Sequence, residues 1–153
     1  MKPVAIARRC ALLLIIGVLC SCSSERSFEV LTGEAADLRS DPRLIMINYW
    51  ATWCLPCLEE MPELAEFRNE HRDKVEVYAV NYDNPDAEEL REQIEEIGVE
   101  IPALVEDPSI EFGYARPDVL PGTIVMDRGE VKEMLYGPQT KETLEAVLEK
   151  WRQ

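Results

Sequence analysis

Basic side chains are scarce in this chain of 153 residues, where 16 lysines and arginines face 30 aspartates and glutamates for a formal charge of -14. Binding to phosphate backbones needs a basic patch, so nucleic acid is excluded as a partner and the acidic residues read as a solvated surface. Histidine occurs once, as His71. A structural zinc site needs four ligands, mostly cysteine and histidine, so no metal site is expected and His71 reads as a surface residue closing a helix. No apolar run approaches the roughly 20 residues that span a hydrocarbon core, which makes a permanent transmembrane helix the weaker reading of the N-terminal segment. Internal repeats and low-complexity stretches are absent. What is there is 46% hydrophobic and 30% charged, the balance of a globular protein. The length suits one domain whose core needs no disulfide scaffold.

The first residues do not read as part of that domain. Lys2, Arg8 and Arg9 precede an apolar run from Ala11 to Cys20, and the chain turns polar at Ser21, the pattern of a secretory signal. Leu19-Cys20-Ser21-Cys22 resembles the lipobox of bacterial lipoproteins. That resemblance implies a signal peptide over residues 1–21, lipidation of Cys22, and a stable anchor through the acyl chains. Cys20 fits the lipidated position less well, having Leu19 before it. Ser23 is similar to residues that direct sorting to the outer membrane. The alternative is ordinary cleavage with Cys22 left as a free thiol. Residues 22–27 then form the lipidated N terminus and linker, and 28–153 the folded domain.

Once Cys10 and Cys20 leave with the signal and Cys22 is occupied, Cys54 and Cys57 are the two thiols of the exported domain. Extracytoplasmic cysteines usually end in structural disulfides. A bridge over a loop of about four residues, however, contributes roughly 2 kcal/mol, against nearly 5 for a loop of about a hundred. Stability is therefore a poor reason for this pair.

Hydrophobic periodicity places the pair at a strand-to-helix junction. Leu44 to Trp50 is a dense strand-type run, and an amphipathic stretch with Leu58, Met61, Leu64, Ala65 and Phe67 follows the cysteines. Val75 to Asn81 predicts a second strand, parallel to the first because a helix connects them. A second helix is expected from Asp86 to about Ile97, ended by Gly98. Pro102 to Val105 is a candidate short strand, Thr123 to Asp127 and Glu130 to Tyr136 read as a hairpin around Arg128-Gly129, and a last helix starts near Thr140.

The segment from Asn48 to Pro62, Asn-Tyr-Trp-Ala-Thr-Trp-Cys-Leu-Pro-Cys-Leu-Glu-Glu-Met-Pro, resembles the active-site segment of thioredoxin-like proteins of the periplasmic TlpA/ResA/CcmG type. The similarity runs from about Phe28 to the C terminus. The helix at Asp86 to Ile97 matches the central insertion of that branch, and Leu120-Pro121-Gly122-Thr123 matches its cis-proline loop. The fold implied is α/β, a thioredoxin-like mixed sheet of four or five strands with helices on both faces. The implied cofactor is none beyond a redox-active Cys54–Cys57 disulfide.

At the start of a helix, unpaired backbone donors and the positive dipole end favour a thiolate, so Cys54 is the expected attacking sulfur. Cys57, a turn further in, is the resolving thiol that attacks the mixed disulfide. Pro56 suits an early helical position, where its missing N–H is not needed. Leu55 adds bulk without a donor or charge, so nothing demands a strongly oxidising potential, and the sequence leans toward a reductant. Thioredoxins carry a buried Asp six residues before the first cysteine, whereas this chain has Asn48, which takes no proton. The family instead places a Glu three residues after the second cysteine, here Glu60, which becomes the candidate base; from position alone it would be a solvated helix residue like Glu59. By the same resemblance Pro121 is the cis proline facing the pair, Leu120 offers backbone to substrate, and Trp53 covers Cys54, while Trp50 reads as core. Two departures stand out: Gly122 replaces a frequent Thr, and Tyr114 to Leu120 is slightly longer than usual.

Competing classes fit less well. A peroxiredoxin would have Thr where Ala51 stands, and a copper carrier would have CxxxC and a nearby His. A redox-inert thioredoxin-fold binding lipoprotein is the alternative, but it has no reason to keep both sulfurs. The reading is a thiol-disulfide oxidoreductase of the periplasm, lipid-anchored, probing protein thiols and disulfides as substrates. By resemblance its substrates are of the cytochrome c maturation kind and its electrons come from a DsbD/CcdA-type membrane reductase.

Overall fold

The structure, a computed structural model, describes residues 26–98 and 100–152. The signal segment and Cys22 lie outside the described residues. Elements follow in the order β1 (Phe28–Glu29), β2 (Ala35–Ala36), β3 (Leu44–Trp50), α1 (Leu55–Glu70), β4 (Val75–Asn81), α2 (Ala87–Ile97), α3 (Ser109–Phe112), β5 (Gly122–Asp127), β6 (Glu130–Tyr136) and α4 (Lys141–Trp151). The main sheet has the order β4-β3-β5-β6, with β3 parallel to β4 and antiparallel to β5, and β5 antiparallel to β6. No helix among the described residues is long and apolar enough to cross a membrane.

Every residue of β3 is buried, because the strand lies inside the sheet and both of its faces are covered. Leu44, Met46 and Trp50 point to the layer built by α1, α2 and α4, where they meet Met61, Leu64, Phe67, Leu90, Leu144 and Leu148. Ile45, Ile47 and Tyr49 point the other way, to Phe28, Val30, Leu38 and Leu104, with Phe112 of the four-residue α3 packed beside them. Among the described residues helices therefore stand on both faces, one face carrying α1, α2 and α4 and the other α3 together with the β1–β2 hairpin. Neither β1, β2 nor α3 has enough residues to show a period, so sequence patterning did not reveal them.

The longer elements fall where their local signals predict. Asp86 caps α2, its carboxylate accepting from the Glu88 and Glu89 N–H groups at 3.0 Å each, and Gly98 ends the helix in the left-handed region at φ 68°. Arg128 and Gly129, at φ 49° and 76°, make the tight turn between β5 and β6. Thr140 caps α4 with a reciprocal Thr143 contact. The segment at Pro102 to Val105 forms two single bridges instead of a strand: Ala103 pairs with Ala79 of β4, and Leu104 with Val30. It stitches the N-terminal segment to the edge of the sheet, each residue serving a different neighbour. Glu76 of β4 is buried, and Arg43 at 2.7 Å and Arg68 hold its carboxylate.

Candidate active site

β3 ends at Trp50 and the chain turns into α1 with Cys54 as the N-cap, in extended backbone at φ -93° and ψ 90°. The Cys54 N–H donates to the Ala51 carbonyl at 3.1 Å, and the Cys54 carbonyl accepts from the Cys57 and Leu58 N–H groups at 3.0 and 3.2 Å. Pro56 lies in the first turn, where the ladder asks for no donor. Cys54 and Cys57 form a disulfide with a Cα–Cα distance of 5.3 Å. Their exposures differ in the sense that exchange requires: Cys54 keeps 5% of its surface and Cys57 none. An incoming sulfur reaches Cys54 first.

Apolar groups surround this mouth. Trp53 and Leu55 are 65% and 64% exposed, and the Trp53 indole N–H donates to Asp83 Oδ2 at 2.8 Å, so it stands at the rim in a fixed orientation. Trp50 is fully buried in the core. Leu120–Pro121 is a cis peptide. Because Gly122 pairs with Tyr49 in the β3–β5 register, Pro121 falls at the level of Trp50, the end of β3 from which Cys54 follows. Gly122 has a steric reason to be glycine. A Cβ there would lie 2.6 Å from Pro117 Cβ and 2.9 Å from its Cγ. Gly122→Ala is expected to displace the Pro117–Pro121 loop and destabilise the protein by about 1–3 kcal/mol, measurable as a lower urea midpoint; an unchanged midpoint would show that the loop yields freely.

Glu60 is 3% exposed, on the inner side of α1 one turn beyond Cys57. Its Oε1 accepts from Asn48 Nδ2 at 2.6 Å and its Oε2 from the Gln139 N–H at 2.7 Å. Burial pushes its pKa up to about 7, against the pull of those two donors. That value suits a group that exchanges a proton near neutral pH. Sequence reasoning reached Glu60 but missed Thr123, which takes the second Asn48 N–H at 3.0 Å, and Gln139, whose contribution is a backbone donor with no side-chain signature.

A second polar cluster lies under the same end of the sheet. Tyr49 donates to Asp107 at 2.7 Å and meets the Tyr114 hydroxyl at 3.0 Å. Arg116 pairs with Asp107 at 2.9 Å, lies 4.0 Å over the Tyr82 ring and donates to the Tyr82 carbonyl. Burial raises the pKa of both tyrosines, so they stay neutral donors and acceptors. Tyr82 in turn donates its N–H to the Trp50 carbonyl at 2.7 Å, which ties this cluster to the turn carrying Cys54.

His71 caps the far end of α1, half-buried against Phe67 at 5.0 Å between ring centres and 3.3 Å from Glu145. Glu70, His71 and Glu145 bring one potential ligand atom each within 4.8 Å of one another, but Lys141 Nζ already lies 3.0 Å from Glu70. The cluster is remote from Cys54 along α1 and takes no part in its chemistry.

A buried cysteine paired through a disulfide to a more accessible one at a helix N-cap, beside a cis proline and within a β3–α1–β4 crossover, defines a thioredoxin-like dithiol–disulfide centre. Comparison with known proteins agrees. The chain belongs to the AhpC/TSA family, whose profile matches residues 28–134, and within it to the thioredoxin-like thiol-disulfide oxidoreductases. It is 32% identical over 108 residues to the thiol-disulfide oxidoreductase ResA of Bacillus thuringiensis (strain Al Hakam), covering 69% of this chain and 62% of that one. It is 30% identical over 127 residues to the thioredoxin-like protein YneN of Bacillus subtilis (strain 168), covering 80% and 74%. The crystal structure of StoA from Bacillus subtilis shares the fold, with a TM-score of 0.67 at 20% identity over 84% of this chain and 96% of that one.

Proposed function

We propose that this protein is a lipid-anchored reductase of protein disulfides on the periplasmic side of a membrane, with Cys22 as the anchor. The observation that carries the exchange reading is the graded burial of the pair: Cys54 at the N-cap with its edge open, Cys57 sealed beneath it, and a carboxyl group of raised pKa one turn further in. In the reduced protein the Cys54 thiolate attacks one sulfur of a substrate disulfide, forming a mixed disulfide and releasing the other substrate sulfur as a thiolate that takes a proton from solvent. Glu60 accepts the Cys57 proton, and the Cys57 thiolate then attacks Cys54 Sγ. The Cys54–Cys57 disulfide forms and the second substrate sulfur leaves as a thiolate that takes the proton back from Glu60, so the substrate departs as a dithiol with two electrons gained. A DsbD/CcdA-type membrane dithiol returns the pair to the reduced state.

Substrate contact falls to Trp53, to the Leu120 backbone and to Pro121. A groove of about 380 Å³ lies between Thr52, Leu58 and Pro62 on one side and Gln93, Glu96 and Ile97 on the other. The substrate class proposed is the apocytochrome c cysteines that receive haem, which the resemblance of the Asn48 to Pro62 segment to the TlpA/ResA/CcmG type implies. Expressing the full chain as Cys57→Ala tests this: without the resolving thiol, mixed disulfides with extracytoplasmic cysteine proteins, apocytochromes among them, should accumulate in the membrane fraction. Accumulation no greater than in a Cys54→Ser/Cys57→Ala double variant would refute the exchange, and a protein recovered only from the soluble fraction would refute the anchor.

A further inference from the structure

Asn48 lies in the middle of β3, fully buried. Both of its N–H groups are engaged, one by Glu60 Oε1 at 2.6 Å and one by Thr123 Oγ1 at 3.0 Å, while its buried Oδ1 has no hydrogen-bond partner among the described residues. Thr123 is the residue paired with Asn48 across β3 and β5, so backbone register sets the two side chains beside each other. The other oxygen of Glu60 accepts from the Gln139 N–H. Glu60 is thus held by two neutral donors.

Charged groups on the elements around Glu60 are engaged elsewhere. Glu63, one turn along α1, accepts from the Lys141 N–H at 3.2 Å, and Lys141 Nζ from α4 takes Glu66 and Glu70 at 2.8 and 3.0 Å. Asp127, the charged residue of β5, sits at the far end of that strand opposite Leu44. Cys57, the titratable neighbour on α1 itself, is in the disulfide.

An amide that donates one hydrogen to Glu60 and the other to Thr123 favours the ionised state of the carboxyl group beside it. Donation suits ionised Glu60. A protonated carboxyl needs an acceptor instead, and turning the amide to offer Oδ1 would leave both N–H groups where Oδ1 now finds no partner. The Thr123 hydroxyl, which accepts the second N–H at 3.0 Å, fixes the amide in its donating orientation. We propose that Asn48 is the positioning residue of Glu60, its amide held in the donating orientation by Thr123 so that it favours the ionised carboxyl group and keeps it in place. Its value for exchange rests on Glu60 being the proton acceptor, whereas the geometry concerns the ionisation of Glu60 alone.

The test is an NMR titration of the oxidised protein carrying labelled glutamate carboxyls and labelled asparagine side-chain amides. In Asn48→Leu, ionised Glu60 loses a charge-assisted donor and its midpoint is expected to rise by about one to two pH units. Thr123→Ser, which keeps the hydroxyl, should retain the wild-type midpoint. In the wild type, independently of any variant's folding, the Asn48 amide signals should move with the Glu60 midpoint and stay still in Glu60→Gln. A midpoint in Asn48→Leu within about 0.3 of a pH unit of wild type, or Asn48 signals indifferent to the Glu60 titration, overturns the proposal. If Glu60→Gln exchanges disulfides at the wild-type rate and pH profile while Asn48→Leu still moves the Glu60 midpoint, the acceptor role of Glu60 fails and the positioning role stands.

Discussion

Insulin reduction by a Cys54→Ser variant is expected to fall to the level of the double cysteine variant, a loss on the order of 10³-fold or more, because residues that act as one unit fail together. Serine keeps the size and position at the N-cap but supplies no thiolate. Among the described residues no other thiol can take over the attack, since Cys57 has no exposed surface. Cys57→Ala should differ in kind: Cys54 still attacks once, so a stoichiometric adduct forms and turnover stops. The two variants, compared by gel shift with a thiol-labelling reagent, separate attack from resolution. Equal adduct formation by both would mean that the buried sulfur reaches substrate and would reverse the assigned roles.

Glu60 should impose a pH dependence on stability that opposes the usual trend of carboxylates. Its pKa in the folded protein, about 7, lies above the value of 4.5 it has when exposed. Below pH 4.5 it is protonated in both states and its contribution is fully present. As pH rises the unfolded chain ionises first, and that contribution is lost progressively until the folded group has also ionised near pH 7. The loss amounts to about 3 kcal/mol. Asp37 and Asp41, both with lowered pKa values, act in the opposite direction, so the measurement is the difference between wild type and Glu60→Gln. Urea unfolding of the oxidised proteins from pH 4 to 8 should show wild type losing stability relative to the variant across that window and holding level above it. A flat difference would show that Glu60 ionises as it does in water. At neutral pH the same variant is expected to resolve its mixed disulfide about 10²-fold more slowly, since no carboxylate is there to take the Cys57 proton.

The parts of this protein legible in its sequence are those governed by short spacings. Cys54 and Cys57 are three apart and follow a strand-type run, so the attacking and resolving sulfurs, the start of α1 and the crossover to β4 follow from local chemistry. Asp86 and Gly98 mark the two ends of α2, and Arg128-Gly129 marks a hairpin, each through its own backbone preference. The cis bond at Pro121 came from family resemblance, since one X-Pro pair among ten prolines carries no mark of its own.

Tertiary structure decided how those parts meet. Glu60 is a helix residue with the same sequence credentials as exposed Glu59, and only the closing of α1 onto β3 separates them, burying one and leaving the other in water. Asn48, Glu60, Thr123 and Gln139 come from four places in the chain and meet through strand register and helix packing, which no local pattern encodes. The same holds for Gly122, whose missing side chain is explained by Pro117 pressing against it, and for Arg116 and Asp107 bracing the strand ends. Periodicity and capping report a residue's neighbours within a turn or two; the proton affinity of a carboxyl group depends on whatever distant chain shuts out its water.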